Sequence, residues 1–220
     1  RALTEVPGKV PTTFVHFRGN HQQPRQKVDP AELSVLNLYA PVKLPLNDKA
    51  VPTTGRRLAY ARHLVSGRHP LVARVIVNRI WQHHFGRGLV ATPNDFGDQG
   101  QRPSHPGLLD WLASELIRNG WRLKPIHRAV LTSATYRQSV LDLPQTEADR
   151  ELFCGRTVRR LEAESIRDSL MVFGDRFDDR MFGPGSLDSG NPRRAVYFRV
   201  KRSQPDPLMA LFDLPDTLQG

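Results

Sequence analysis

Cysteine is almost missing from this 220-residue chain: Cys154 stands alone. One thiol excludes an internal disulfide framework and any cysteine-rich zinc module, and it leaves the compartment open. Long apolar runs are missing too. No stretch approaches the roughly 18 apolar residues that a membrane-spanning helix needs, and nothing after Arg1 reads as a signal peptide. The chain is therefore expected to be a soluble piece of a longer protein. Acidic side chains are scarce in the middle. Residues 56–140 carry 13 basic and 4 acidic groups, a net +9, whereas residues 1–55 carry 7 and 4 and residues 141–220 carry 12 and 14. A basic centre suits an acidic partner: nucleic acid, a sulfated or carboxylated polysaccharide, or an acidic neighbouring domain. Arginines pairing with acidic helices of the same fold are the simpler account. There is no nucleophile elbow, phosphate loop, dinucleotide fingerprint or haem-attachment motif. A hydrophobic content of 39% is nonetheless enough for a folded core.

Residues 1–55 read as an extended segment packing on the rest, broken by Pro7, Pro11, Pro24, Pro30, Pro41, Pro45 and Pro52. Thr12 to Arg18 has strand-forming residues and ends at the turn signal Gly19-Asn20. Residues 56–220 read as one helical domain. A helix over 56–66 presents Leu58, Ala61, Leu64 and Val65, and Gly67 ends it. The next, 70–85, starts at Pro70, where a missing N–H costs nothing, and stops at Gly86. These two are expected to form a tight helical hairpin or corner. A loop rich in Gly, Asn, Asp and Pro follows over 86–105, with Phe96 as its anchor; structureless loops that long are usually functional. Further helices are expected from Pro106 to Asn119, over 124–136 and over 161–173, the last with Ile166, Leu170 and Phe173 inward. Ala195 to Lys201 alternates apolar and polar, as a half-buried strand does, and its natural partner is the strand near Phe14. The fold class is mainly α: about five helices, with a small antiparallel β element joining the N- and C-terminal segments.

The 70–85 helix is apolar nearly all round, which predicts burial. Yet Arg74, Asn78 and Gln82 recur on it at i, i+4 and i+8, with Arg79, His83 and His84 on other faces. Buried polar groups must be paired, so this helix lies in a polar network or borders a site. The candidate ligand-binding residues are Arg74, Asn78, Arg79, Gln82, His83, His84, Arg87, Asn94 and Asp95. Guanidinium groups suit carboxylate and sulfate. His83 and His84 are adjacent and point about 100° apart on a helix, so they do not share a metal. His63, His69, His105 and His127 could join them only in space, and no metal site is assigned. Asp95 braces the loop, and Trp81, Trp111 and Trp121 lie on or beside apolar stripes.

The run from His69-Pro70-Leu71 through Phe96-Gly97, with His105-Pro106 to Glu115 and Gly120-Trp121 to Ser139, resembles the PSD-one domain. This is a family of unknown function abundant in planctomycetes. Arg159 to Gly174, Arg193 to Ser203 and Leu208 to Asp216 are similar to it too, while Ser203-Gln204-Pro205-Asp206-Pro207 departs from it. The resemblance implies context more than chemistry. It implies an extracytoplasmic module near the C-terminal end of a large protein. A second domain of unknown function, and often a cytochrome c module or a carbohydrate-binding module, lies upstream. It carries no catalytic residues to transfer. Any haem belongs to the upstream module, and no cofactor is expected in this chain. The expected function is binding, with the upstream domain of the parent protein and acidic polysaccharide as partners. The alternatives are a hydrolase built on the His/Asp loop, with or without a metal, and nucleic-acid binding through the basic centre, the weaker of the two.

Overall fold

The structure is a computed structural model that describes residues 5–6, 9–140, 146–156, 158–201 and 206–212. Its contacts divide the chain into two compact units, Arg1–Thr157 and Val158–Gly220.

The first unit opens with a hairpin. Strand β1 (Thr13–His16) pairs antiparallel with β2 (Pro24–Val28), Thr13 facing Val28 and Phe14 facing Lys27, with an irregularity before His16. A short helix α1 (Ser34–Tyr39) follows, then α2 (Arg56–Leu64), α3 (Val72–Phe85), α4 (Pro106–Arg118), α5 (Leu123–Thr132) and the short α6 (Glu147–Glu151). The core is where α3 packs on α4 and α5. Val77 and Leu116 are fully buried, with Trp81, Leu112, Ile126 and Val130 around them and Leu89 and Val90 closing the end from the loop. Trp81 stacks on Phe85 with ring centres 4.1 Å apart, and Phe153 meets Trp81 edge-on at 5.2 Å. Phe96 packs against this core as the loop's anchor. Gly86 ends α3 at φ +85°, a conformation that costs other residues a Cβ clash.

The second unit contains α7 (Ala163–Phe173) and the short α8 (Pro207–Ala210) around a small core of Ala163, Ala195 and Met209. Its centre is a charged group. Arg167 is buried and donates to the carbonyls of Arg193 (2.9 Å) and Asn191, while its guanidinium lies 4.3 Å from the Phe198 ring centre. The planar fork matches two carbonyls at once and stacks on an aromatic face.

The chain is mainly helical with a small antiparallel sheet, as the sequence implies, and all five expected helices are present. Several details differ. The partner of β1 is β2, not Ala195–Lys201, so the sheet does not join the two ends of the chain. Ala195–Tyr197 is a single 3₁₀ turn whose first N–H donates to Asp168 Oδ1 at 2.9 Å. Helix α3 starts at Val72 rather than Pro70, because the His69 ring accepts from the Leu71 and Val72 N–H groups and so defines the helix start. The inward face of α2 is not the Leu58–Val65 stripe: those two are 41% and 55% exposed, and Tyr60 and His63 turn inward toward Glu32. On α7, Leu170 and Phe173 face out, and Ala163 and Arg167 face in. Of the tryptophans, Trp81 is core, Trp121 is half-buried with its indole N–H on the Val65 carbonyl, and Trp111 is about half exposed. Ser203 to Pro205, where the sequence departs from the family pattern, lies outside the described residues.

Candidate functional site

Helix α3 and the loop after it form one polar construction. Asn78 is fully buried at the middle of the helix. Its Oδ1 accepts the Val90 N–H at 2.8 Å, and its Nδ2 donates to the Val90 carbonyl at 3.0 Å. An amide side chain offers an acceptor and donors together, so it pairs with both the N–H and the carbonyl of one residue. Gly88 fits beneath this clamp because a Cβ there would sit 2.5 Å from the Val90 oxygen. Further along, the Thr92 hydroxyl donates to the Asp95 carbonyl (2.8 Å) and accepts the Gln101 N–H (3.0 Å). Asp95 Oδ1 accepts the Gly97 N–H at 2.8 Å, and Ser104 N–H returns to the Leu89 carbonyl at 2.9 Å. The loop thus has one defined path without regular secondary structure.

The candidate residues fall into three groups. Asn78 and Asp95 shape the loop from within. Arg74 and Arg87 hold carboxylates: Arg74 Nε lies 2.6 Å from Asp110 Oδ1 and also bonds the Pro70 carbonyl, and Arg87 pairs with Glu147. Arg79 and Asn94 are both exposed and meet, Arg79 Nη2 donating to Asn94 Oδ1 at 3.1 Å. That bond places the helix face against the loop tip, with His83 exposed one turn along α3 and Gln82 half-buried beside it. His84 turns the other way, its Nε2 2.9 Å from His127 Nδ1 and its ring edge-on to Tyr136. His105 bonds Ser104 Oγ at 3.0 Å. His83, His84, Asp95 and His105 do not gather into a metal-holding group among the described residues.

A second polar cluster lies where no local sequence pattern marks it. Glu32, His63 and His69 come from the stretch before α1, the end of α2 and the residue before Pro70, and they meet with side chains 2%, 8% and 6% exposed. Glu32 Oε1 accepts the Leu33 N–H at 2.8 Å and faces the Tyr60 hydroxyl at 3.4 Å. Glu32 Oε2 lies 3.7 Å from His63 Nε2 and 3.8 Å from His69 Nε2. Burial pulls the His69 pKa below the ordinary imidazole value; the Glu32 carboxylate opposes that and His63 adds to it. Burial, then the same carboxylate, pushes the Tyr60 hydroxyl up. The signal for this cluster is spatial: 37 residues separate Glu32 from His69, and only folding makes them neighbours.

The fold and these features define a cysteine-poor, mainly helical chain with a hydrogen-bonded polar loop. Residues 56–219 match the family model PSD1, described as a protein of unknown function (DUF1553), and the chain belongs to that family. No curated protein and no solved structure matches the chain. No helix among the described residues is long and apolar enough to cross a membrane.

Proposed function

We propose that this chain is a binding module of a larger extracytoplasmic protein of the cytochrome c-linked planctomycete kind, and that it engages acidic polysaccharide at the junction of α3 with the 86–105 loop. The observation that carries this reading is the exposed Arg79–Asn94 bond on a loop whose path is fixed from inside by Asn78. Binding residues concentrate on loops that a rigid scaffold positions, because a pre-ordered loop loses little entropy when it meets a ligand. Arg79 supplies a guanidinium that reads a carboxylate or sulfate, Asn94 supplies amide groups for hydroxyls, and His83 and Gln82 extend the same face. The basic centre raises the local concentration of a polyanion. Redox chemistry belongs to any haem module upstream, and the domain that precedes this one in the parent protein is its second partner.

Electrophoresis through gels containing polygalacturonate, with neutral dextran gels as reference, tests the reading. The chain is expected to be retarded by polygalacturonate alone at low salt, and Arg79→Ala is expected to lose most of that retardation. Equal retardation of wild type and variant, or none for either, overturns it.

A further inference from the structure

We propose that Glu32, His63 and His69 form a binding site for one divalent transition-metal ion of the zinc(II) class, clasping the stretch before α1 to the corner between α2 and α3. One ligand atom from each residue lies within 4.8 Å of the other two. Two of these atoms, Glu32 Oε2 and His63 Nε2, are buried with no hydrogen-bond partner. At 3.7 and 3.8 Å, the imidazole nitrogens are too far from Oε2 for hydrogen bonds. A carboxylate oxygen withdrawn from water and facing two ring nitrogens needs something between them. A tetrahedral ion with bonds of about 2.0–2.2 Å holds its donors roughly 3.3–3.6 Å apart. The observed spacings reach that range by side-chain shifts of a few tenths of an ångström for the two Glu–His pairs.

The donor types select the class of ion. Two imidazoles and one carboxylate suit zinc and its first-row neighbours, whereas calcium and magnesium take oxygen ligands and copper(I) prefers sulfur. The Tyr60 hydroxyl on Glu32 Oε1 and the Leu33 N–H on the same oxygen hold the carboxylate from behind, as outer partners of metal ligands do. The side chains are no more than 8% exposed, and three protein donors leave the fourth position of a tetrahedral ion to a water molecule.

His69 supplies a second readout. Its Nδ1 accepts the Leu71 and Val72 N–H groups at 3.2 and 3.3 Å, so the neutral ring carries its proton on Nε2. Coordination through Nε2 moves that proton to Nδ1, with no net release, and the two helix-start bonds open. Loading the site is therefore coupled to the first turn of α3.

The test uses the 220-residue chain without an affinity tag, stripped with a chelator and titrated with zinc(II) in competition with a chromophoric chelator. One equivalent is expected to bind with a dissociation constant at or below about 1 μM. Glu32→Gln and His63→Asn are each expected to weaken binding by 10-fold or more, whereas His83→Ala and His105→Ala leave it unchanged. In the wild type, zinc is expected to shift the Leu71 and Val72 amide resonances and raise the melting temperature; these readouts stand even if a variant folds poorly. Absence of stoichiometric binding, or binding that leaves both amides unmoved, overturns the proposal.

Discussion

Asn78 holds both backbone polar groups of Val90, taking its N–H at 2.8 Å and giving to its carbonyl at 3.0 Å. Twelve residues separate them, and the carboxamide stands in for the strand partner that Val90 lacks. With the Thr92, Asp95 and Ser104 bonds further along, that pairing fixes the path of the loop that carries Asn94.

Asn78→Ala leaves two polar groups of Val90 stranded in the interior. Each such group costs about 1–3 kcal/mol, so the variant is expected to lose about 3 kcal/mol, read as a lower urea midpoint at unchanged slope. A loss within about 0.5 kcal/mol, the range of ordinary surface changes, would mean that the loop re-pairs freely without the clamp.

Gly88→Ala tests the same clamp from the other side. The added methyl meets the Val90 oxygen at 2.5 Å and both amide atoms of Asn78 at 2.8 and 2.9 Å. Overpacking of this kind costs about 1–3 kcal/mol. The two substitutions share partners, so the double variant is expected to lose clearly less than the two single losses added together. Additive losses in a double-mutant cycle would contradict a single coupled clamp.

Arg167→Lys keeps the charge of the second unit's centre and removes its shape. A lysine cannot reach the Arg193 and Asn191 carbonyls together or stack on Phe198 as a plane. Each buried carbonyl left without its donor costs about 1–3 kcal/mol. Hydrogen exchange over 163–173 and 191–198 is expected to accelerate strongly, and unchanged protection there would count against the guanidinium as the organising group.

The start of α6 carries a pH dependence with a defined sign. Thr146 and Asp149 form a reciprocal cap: the Thr146 hydroxyl and N–H donate to Asp149 Oδ2 at 2.6 and 2.9 Å, and the Asp149 N–H donates back to the hydroxyl at 3.1 Å. The hydroxyl bond, then the backbone bond, holds the Asp149 pKa below its ordinary value. A depressed folded-state pKa gives a contribution that is fully present above the unfolded value and lost as the pH falls through the folded one. An NMR titration is expected to place Asp149 below ordinary aspartates in the wild type and to raise it toward the ordinary value in Thr146→Ala, which loses the hydroxyl bond but keeps the backbone one. Identical values in both proteins would remove the cap from the account.

Long periodic elements were legible in the sequence. The apolar spacing of Leu109, Leu112, Ala113 and Leu116, the Pro106 start and the Gly86 stop each reflect local physics, and the structure agrees with all three. Short or composite features were not. Val196, Phe198 and Val200 alternate like a strand, but Asp168 captures the Ala195 N–H and turns the chain into a 3₁₀ turn, leaving Val196 and Val200 more than 70% exposed. The α2 stripe misled because Tyr60 and His63 are drawn inward by Glu32, a residue outside the helix. On the candidate surface, the i, i+4 pattern found Arg74 and Asn78 without telling them apart. Pairing with Asp110 and burial against Val90 are facts of tertiary structure.

The measurement that tests the proposed surface most directly is a titration of isotope-labelled chain with oligogalacturonate, followed by amide chemical shifts. Saturable shifts centred on Arg79, His83, Asn94 and Asp95, abolished by Arg79→Glu, are the predicted result. Shifts spread evenly over the basic residues, or none at low salt, would contradict it.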